Sequence, residues 1–365
     1  MDKCVIAASG DVGGARSLIP VLEELCKEKI MVYAIAHGYI SKHLNQIDSE
    51  FLNIVPDEIS AVDKLIKNEK LGVYLFTTSV EDLYALSLAR RVRERGVPVI
   101  CLLDSPVRYK ERLEIDGLPT FYPDIYTLPS DDALLEALQY GFPENILRVT
   151  GHPAFSSLEE EWISWSENKR ELIIRDNNWI DSRKLLLFVS EPVEMDQGGT
   201  DSSELFRGYT EKTVVKALCN ILQEHSDDIQ IGVLPHPRED IKGLLALFEE
   251  NCGGLHWGHL RNCTGRESVF AADGVCGMAS ILLYEAWLIG KPVLSLQLGV
   301  KRDDYLYITK KSGVCSITQN VISEEVINVW LEDIKDGVVN SFGADELEIH
   351  NNASNAFCNV VKDFL

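Results

Sequence analysis

The chain has 365 residues, 45% of them hydrophobic and 25% charged, and 57 acidic against 35 basic side chains give it a formal charge of −22. That length suits two globular domains of about 180 residues rather than a single core, and the charge repels a nucleic-acid backbone or an anionic membrane surface. No apolar run approaches the ~20 residues that a bilayer crossing needs, and the opening residues lack a signal-peptide pattern, so a soluble cytoplasmic protein is expected. The nine cysteines include no C-x2-C pair and no zinc spacing, so all are expected to be buried thiols of a reducing compartment.

Residues 3–8 (KCVIAA) are apolar on both faces, the pattern of a strand inside a parallel sheet. Ser9-Gly10-Asp11-Val12-Gly13-Gly14-Ala15-Arg16 follows, and then Leu18, Leu22 and Leu25 recur at helical spacing. This predicts a glycine loop between a first strand and a first helix, where backbone can approach a ligand at the carboxyl edge of the sheet. It matches neither G-x-G-x-x-G nor the P-loop. Residues 30–36 and 71–77 are further strands with helices between and after them, and 82–95 is a helix stopped by Gly96. Strand 97–103 ends in Asp104-Ser105-Pro106-Val107-Arg108-Tyr109-Lys110, a charged cluster where open α/β sheets keep their chemistry.

From residue 123 the punctuation is dense. A strand over 124–128 reaches Ser130, which N-caps a helix carrying Leu134, Leu135 and Leu138; Gly141 ends it, and 146–150 is the next strand, running into a turn with His152. Residues 162–178 predict a linker helix. Strand 184–190 (KLLLFVS) opens a second half and leads to an acidic, glycine-tipped loop over 191–199. Helix 210–225 precedes strand 229–234, which delivers Pro235-His236-Pro237-Arg238-Glu239 to the carboxyl edge. His256 and His259 lack a third metal ligand nearby. The pairs Asp131-Asp132, Asp227-Asp228 and Asp303-Asp304 are expected to be solvated caps and loop residues.

Residues 272–298 organise the rest: a short strand ending at Gly277, a helix over 280–289, Gly290 as its stop, and an apolar strand from Pro292. The unpaired N–H groups at the helix start, with about half a positive charge from its dipole, favour a phosphate near Gly277 and Ser280. Glu285 lies about a turn and a half into this helix, where a carboxylate could accept two hydrogen bonds from a ribose diol. Further helices are expected from 323 to 365.

The spacing Glu285-Ala286-x3-Gly290-x-Pro292 resembles the nucleotide-sugar motif of GT-B glycosyltransferases and of non-hydrolysing UDP-sugar 2-epimerases, in which the glutamate holds the ribose. Residues 123–155 resemble the end of the GT-B N-terminal domain, with its "T-G-x-P" turn, and His236-Pro237 resembles the His-Pro element whose histidine meets the nucleotide phosphate. The resemblance implies an α/β, GT-B-like fold of two Rossmann-like domains facing across a cleft. Residues 1–155 would be the acceptor domain, 156–180 a linker and 181–345 the nucleotide-sugar domain, with 346–365 a helix packing back toward the first.

The same resemblance implies a glycosyltransferase that moves a sugar from a nucleotide-sugar donor to a hydroxyl of a glycan or lipid-linked acceptor, in surface or capsular glycan biosynthesis. His236, Arg238, Gly277, Ser280 and Glu285 would bind the nucleotide, and His236 would also act on the leaving phosphate, its ordinary pKa near 6.5 suiting it to donate near neutral pH. Gly13, Gly14, Arg16 and Arg108 would line the acceptor side, with Asp11 or Asp104 as the base. No metal and no cofactor beyond the donor are expected, and the motifs set no oligomeric state. Two alternatives share the scaffold. One is the 2-epimerase, whose H-x-E-A-G-L-R stretch is replaced here by LLDSPVR, without its glutamate. The other is a non-catalytic GT-B-like protein that binds a nucleotide or a partner.

Overall fold

A computed structural model describes residues 3–67, 70–79, 82–302, 304 and 306–365. The chain divides into two compact units, the first running to Ser157 and including Glu346–Leu365, the second Leu158–Asp345.

The first unit holds seven parallel strands: β1 (Cys4–Ala8), β2 (Val32–Ala36), β3 (Leu52–Pro56), β4 (Leu71–Thr77), β5 (Val99–Leu102), β6 (Ile125–Leu128) and β7 (Leu147–Val149). Their order is β3-β2-β1-β4-β5-β6-β7. The chain steps outward from β1 to β3 and then crosses to the other side of β1, which makes the β1/β4 edge the topological switch point. A parallel sheet must be covered on both faces, and β1, β4, β5 and β6 are buried throughout. On one face Leu18, Leu22 and Leu25 pack with Phe357, Cys358 and Val361 of the helix Ala353–Lys362. On the other, Tyr74 and Phe76 pack with Leu86, Leu88 and Val92 of the helix Tyr84–Arg93. Sequence reasoning did not find β3. It is an edge strand with no buried face, and Pro56, which lacks an N–H, is tolerated only in such a place.

The second unit holds six parallel strands: β8 (Lys184–Val189), β9 (Ile229–Leu234), β10 (His256–His259), β11 (Gly274–Gly277), β12 (Val293–Leu296) and β13 (Cys315–Ile317). The order β10-β9-β8-β11-β12-β13 repeats the same walk, with the switch point at β8/β11. Phe188, Phe248, Leu294 and the fully buried Trp330 lie in its core. In place of one linker helix there are two, Leu158–Ile163 and Glu167–Asp176. Trp162 and Trp165 pack on Phe270, and Arg170 pairs with Asp273, which ties this segment into the second unit. His256 and His259 sit three residues apart on the short edge strand β10 and so point to opposite faces.

Two expectations are corrected. Cys219 and Cys252 form a disulfide, with Cα atoms 5.1 Å apart, where nine free thiols were expected. The two residues belong to neighbouring helical segments, so close packing rather than a short sequence spacing joins them. Asp304 is buried at 2% exposure instead of solvated. It accepts from Gln297 Nε2 at 2.8 Å and from the Leu306 N–H at 2.9 Å, which satisfies it inside the fold. Its neighbour Asp303 lies outside the described residues. Asp131 and Asp132 occupy the first turn behind Ser130, and Asp227 and Asp228 are exposed. Among the described residues no helix is long and apolar enough to cross a membrane.

Candidate functional site

The carboxyl edge of the second sheet gathers groups from four strands. Past the end of β11, the Met278 carbonyl accepts from Ser295 Oγ at 2.6 Å and from Gln297 Nε2 at 3.3 Å. This buried anchoring fixes the turn that launches the helix Ile281–Leu288, whose N-cap Ser280 accepts from the Leu282 N–H. Gly277 is required for packing: a Cβ there would lie 2.5 Å from the Val189 carbonyl oxygen of β8. Gly290 ends the helix region with φ +80°, a conformation that favours glycine.

Across the switch point, Glu191 follows β8 and its Oε2 accepts from the Ala279 N–H at 2.6 Å. Burial pushes its carboxyl up to about 7. The Ala279 N–H and Arg207 oppose that rise, and Asp304 and Glu239 add to it. From β9, Glu239 accepts from Ser190 Oγ at 2.7 Å and from the His236 N–H at 3.0 Å, locking the His-Pro turn to the end of β8. His236 Nδ1 accepts from the Arg238 N–H at 3.2 Å, so the neutral ring carries its proton on Nε2 as a donor. Burial, helped by Arg238, lowers the His236 pKa. Arg238 spends its terminal nitrogens on Asp196, at 2.9 and 2.6 Å, so its fork must leave Asp196 to reach a phosphate.

Glu285 is 7% exposed and faces Arg266 in a two-point pair, Nε to Oε2 and Nη2 to Oε1, both 3.1 Å. Arg266 also donates to Glu161 at 2.8 Å. The pair fixes the carboxylate plane and leaves each oxygen a second lone pair. Arg266 lies in the helix Gly265–Ala271, started by a capping box of Thr264 and Glu267.

The first sheet's edge is built differently. Asp11 caps the helix Val12–Lys27 by accepting from the Gly14 N–H at 2.7 Å. Gly14 sits against Thr77 and Ser9, whose hydroxyls are hydrogen-bonded at 2.6 Å, and a Cβ on Gly13 would come within 2.5 Å of Asp104 Oδ2. Asp104 Oδ1 accepts from Arg112 Nη1 at 2.9 Å in an ion pair whose side chains are 5% and 9% exposed. Burial pushes Asp104 up to about 6, Arg112 pulling down and Asp11 pushing up. The Asp104 carbonyl accepts from His152 Nε2 at 2.8 Å, and burial lowers the His152 pKa. Nearby, His37 bridges Asp57 and Asp82, each at 2.9 Å, and stacks on Tyr84. Arg16 and Arg108 are exposed, Arg108 at φ +55°.

The edges thus bring together His236, Arg238 and Ser280 in the second unit, with Glu285 further along the same helix, and Asp11, Gly13, Gly14 and Asp104 in the first. Sequence reasoning missed Arg112 and Arg266, and saw Glu239 only as the end of the His-Pro run and Glu191 only as part of an acidic loop. The available signal for Glu191 was its place directly after a fully apolar strand, where ligand-facing groups of such sheets collect.

No protein-family model matches the chain, and no curated protein sequence does. Solved structures do. Anabaena Alr3699/HepE in complex with UDP superposes with a TM-score of 0.66 at 13% identity, covering 100% of this chain and 99% of its own. A putative UDP-N-acetylglucosamine 2-epimerase from Listeria monocytogenes gives 0.67 at 14% identity, covering 99% and 96%. The chain has the GT-B-like fold. A glycosyltransferase from Rickettsia africae ESF-5 gives 0.67 at 12% identity, covering 100% and 99%. At these identities the likeness is one of fold, and a GT-B fold carries different reactions on the same two parallel sheets.

Proposed function

We propose that the protein is a glycosyltransferase that moves a sugar from a nucleotide-sugar donor of the UDP type to a hydroxyl of a glycan or lipid-linked acceptor, in surface or capsular glycan biosynthesis. The observation that carries this reading is the convergence, at one switch-point edge, of the His236 Nε2 donor, the backbone N–H groups around Ser280 and an oriented Glu285. The diphosphate would sit at the helix N-terminus, and the ribose diol would take the outer lone pairs of Glu285. As the acceptor oxygen attacks the anomeric carbon, the bond from that carbon to the phosphate oxygen breaks. His236 Nε2–H would then stabilise the charge that grows on the leaving phosphate. The acceptor proton is assigned to Asp104 or Asp11. Asp104, raised to about 6, is ionised at neutral pH and more basic than an ordinary aspartate.

The 2-epimerase reading is favoured by the superpositions on proteins named UDP-N-acetylglucosamine 2-epimerase, three of which cover 98% or more of this chain. Against it stands LLDSPVR, which lacks the glutamate of the H-x-E-A-G-L-R stretch that the epimerases carry at this place. Incubation with UDP-N-acetylglucosamine alone, followed by NMR, separates the two. The transferase reading expects no manno epimer, and UDP release only when an acceptor is added. Appearance of the epimer without acceptor overturns it.

A further inference from the structure

The turn ahead of the helix, which the proposed diphosphate needs, is already occupied by an anion from within the chain. Glu191 reaches across from β8 to the Ala279 N–H at 2.6 Å, over a sequence separation of 88. The helix Ile281–Leu288 keeps its own cap, Ser280, as the helix Val12–Lys27 keeps Asp11. An acceptor borrowed from another strand can therefore leave the turn without uncapping the helix. The turn here is held independently by Ser295 and Gln297 on the Met278 carbonyl.

The ionisable groups around Glu191 come from every neighbouring loop. Glu239 comes from the β9 loop, Asp304 from the loop after β12, and Arg207 and Tyr209 from the segment before the helix Glu211–Leu222. Three carboxyl groups therefore face one guanidinium where a diphosphate must bring further negative charge. Two anions cannot share the Ala279 N–H, and repulsion between them is strong where water is scarce.

We propose that Glu191 is a proton-linked gate of the nucleotide site: as a carboxylate it holds the Ala279 N–H of the turn ahead of the helix when the site is empty, and it takes up a proton as a nucleoside diphosphate binds. Protonation frees the Ala279 N–H for a phosphate oxygen and turns the Glu191 carboxyl from a repelling charge into an O–H donor toward the ligand. The proton comes from solvent, and no other bond changes. A carboxyl that burial already lifts to about 7 accepts that proton readily near neutral pH. The inference rests on the nucleotide reading of this edge. His236 can titrate nearby, but its Nε2–H is a donor in both of its protonation states.

The test is calorimetric titration of UDP into the full chain and into Glu191→Gln, from pH 6.5 to 8.5, in buffers of different ionisation heat at pH 8. The wild type is expected to lose about tenfold in affinity per pH unit above 7 and to take up about one proton per UDP bound at pH 8. Glu191→Gln is expected to bind more tightly at pH 8, with a flatter profile and about one proton fewer. Parallel profiles and equal proton counts in the two proteins overturn the gate while leaving the nucleotide reading standing. Should Glu191→Gln fail to fold, the wild type and His236→Asn decide together: uptake near one proton at pH 8 in both supports the gate, and uptake near zero in either overturns it. Absence of UDP binding by the wild type at every pH overturns the nucleotide reading, and the gate with it.

Discussion

Two switch points of one topology are finished with opposite chemistry. At β1/β4 the edge is closed by a neutral hydroxyl pair, Ser9 and Thr77, with Gly14 fitted against both and Asp11 capping its own helix. At β8/β11 a carboxylate from one strand caps the turn after the other, beside an imidazole donor on the neighbouring β9 loop. A shared walk of strands therefore fixes where a site can lie, and the last residue or two of each strand decide what it can hold. The carboxylate and arginine pairs differ in the same sense. Asp104 and Arg112 are buried together, whereas Arg266 is 19% exposed and divides itself between Glu285 and Glu161.

The largest effect expected from this contrast is at Arg112. Arg112→Ala strands a buried Asp104 and should lower unfolding stability by about 3–5 kcal/mol in a urea titration. Glu191→Gln should act in the opposite direction and only at high pH. The native pKa, about 7, is raised above the ordinary 4.5, so the native protein binds a proton that the unfolded chain has released. The stability this gives is complete below 4.5 and lost as pH rises through 7. The variant should therefore exceed the wild type by up to about 3 kcal/mol at pH 8 and match it at pH 4, read from thermal melts.

Arg266→Ala should cost about 1–3 kcal/mol, less than Arg112→Ala because solvent can reach the vacated fork. Equal losses at Arg112 and Arg266 would erase the distinction between the two pairs. The smallest effect belongs to Asp11→Ala, the loss of a local cap, at about 1 kcal/mol with no special pH dependence. A loss of several kcal/mol there would mean that Asp11 does more than cap its helix.

The helix Ile281–Leu288 could be read from the chain because its signals are local: Ser280 before it, Gly290 after it, an apolar strand on each side. The same holds for Ser130, which caps the helix expected of it, while Thr210, expected as the first residue of its helix, stands just before it as the cap. What escaped was non-local or polar. β3 and β10 are edge strands without a buried face; Asn53 and Pro56 break up the apolar residues of the one, and the other is His-Trp-Gly-His. Glu285 was found as a helix position, but Arg266, 19 residues upstream on another helix, is what orients it. Asp304 looked solvated because it stands in an acidic pair, and Gln297 Nε2 together with two backbone N–H groups holds it inside. Cys219 and Cys252 carry no motif, and the packing of their helices is what joins them.

The central claim is that a nucleotide lies on the second sheet's edge with its ribose on Glu285. Calorimetry with UDP and 2′,3′-dideoxy-UDP, on the wild type and on Glu285→Gln, tests it most directly. Hydrogen bonds to a carboxylate contribute about 1.5–3 kcal/mol, so the wild type should prefer UDP by about ten- to a hundredfold and Glu285→Gln by no more than about threefold. Equal affinity of the wild type for the two nucleotides, or an undiminished preference in Glu285→Gln, would contradict it.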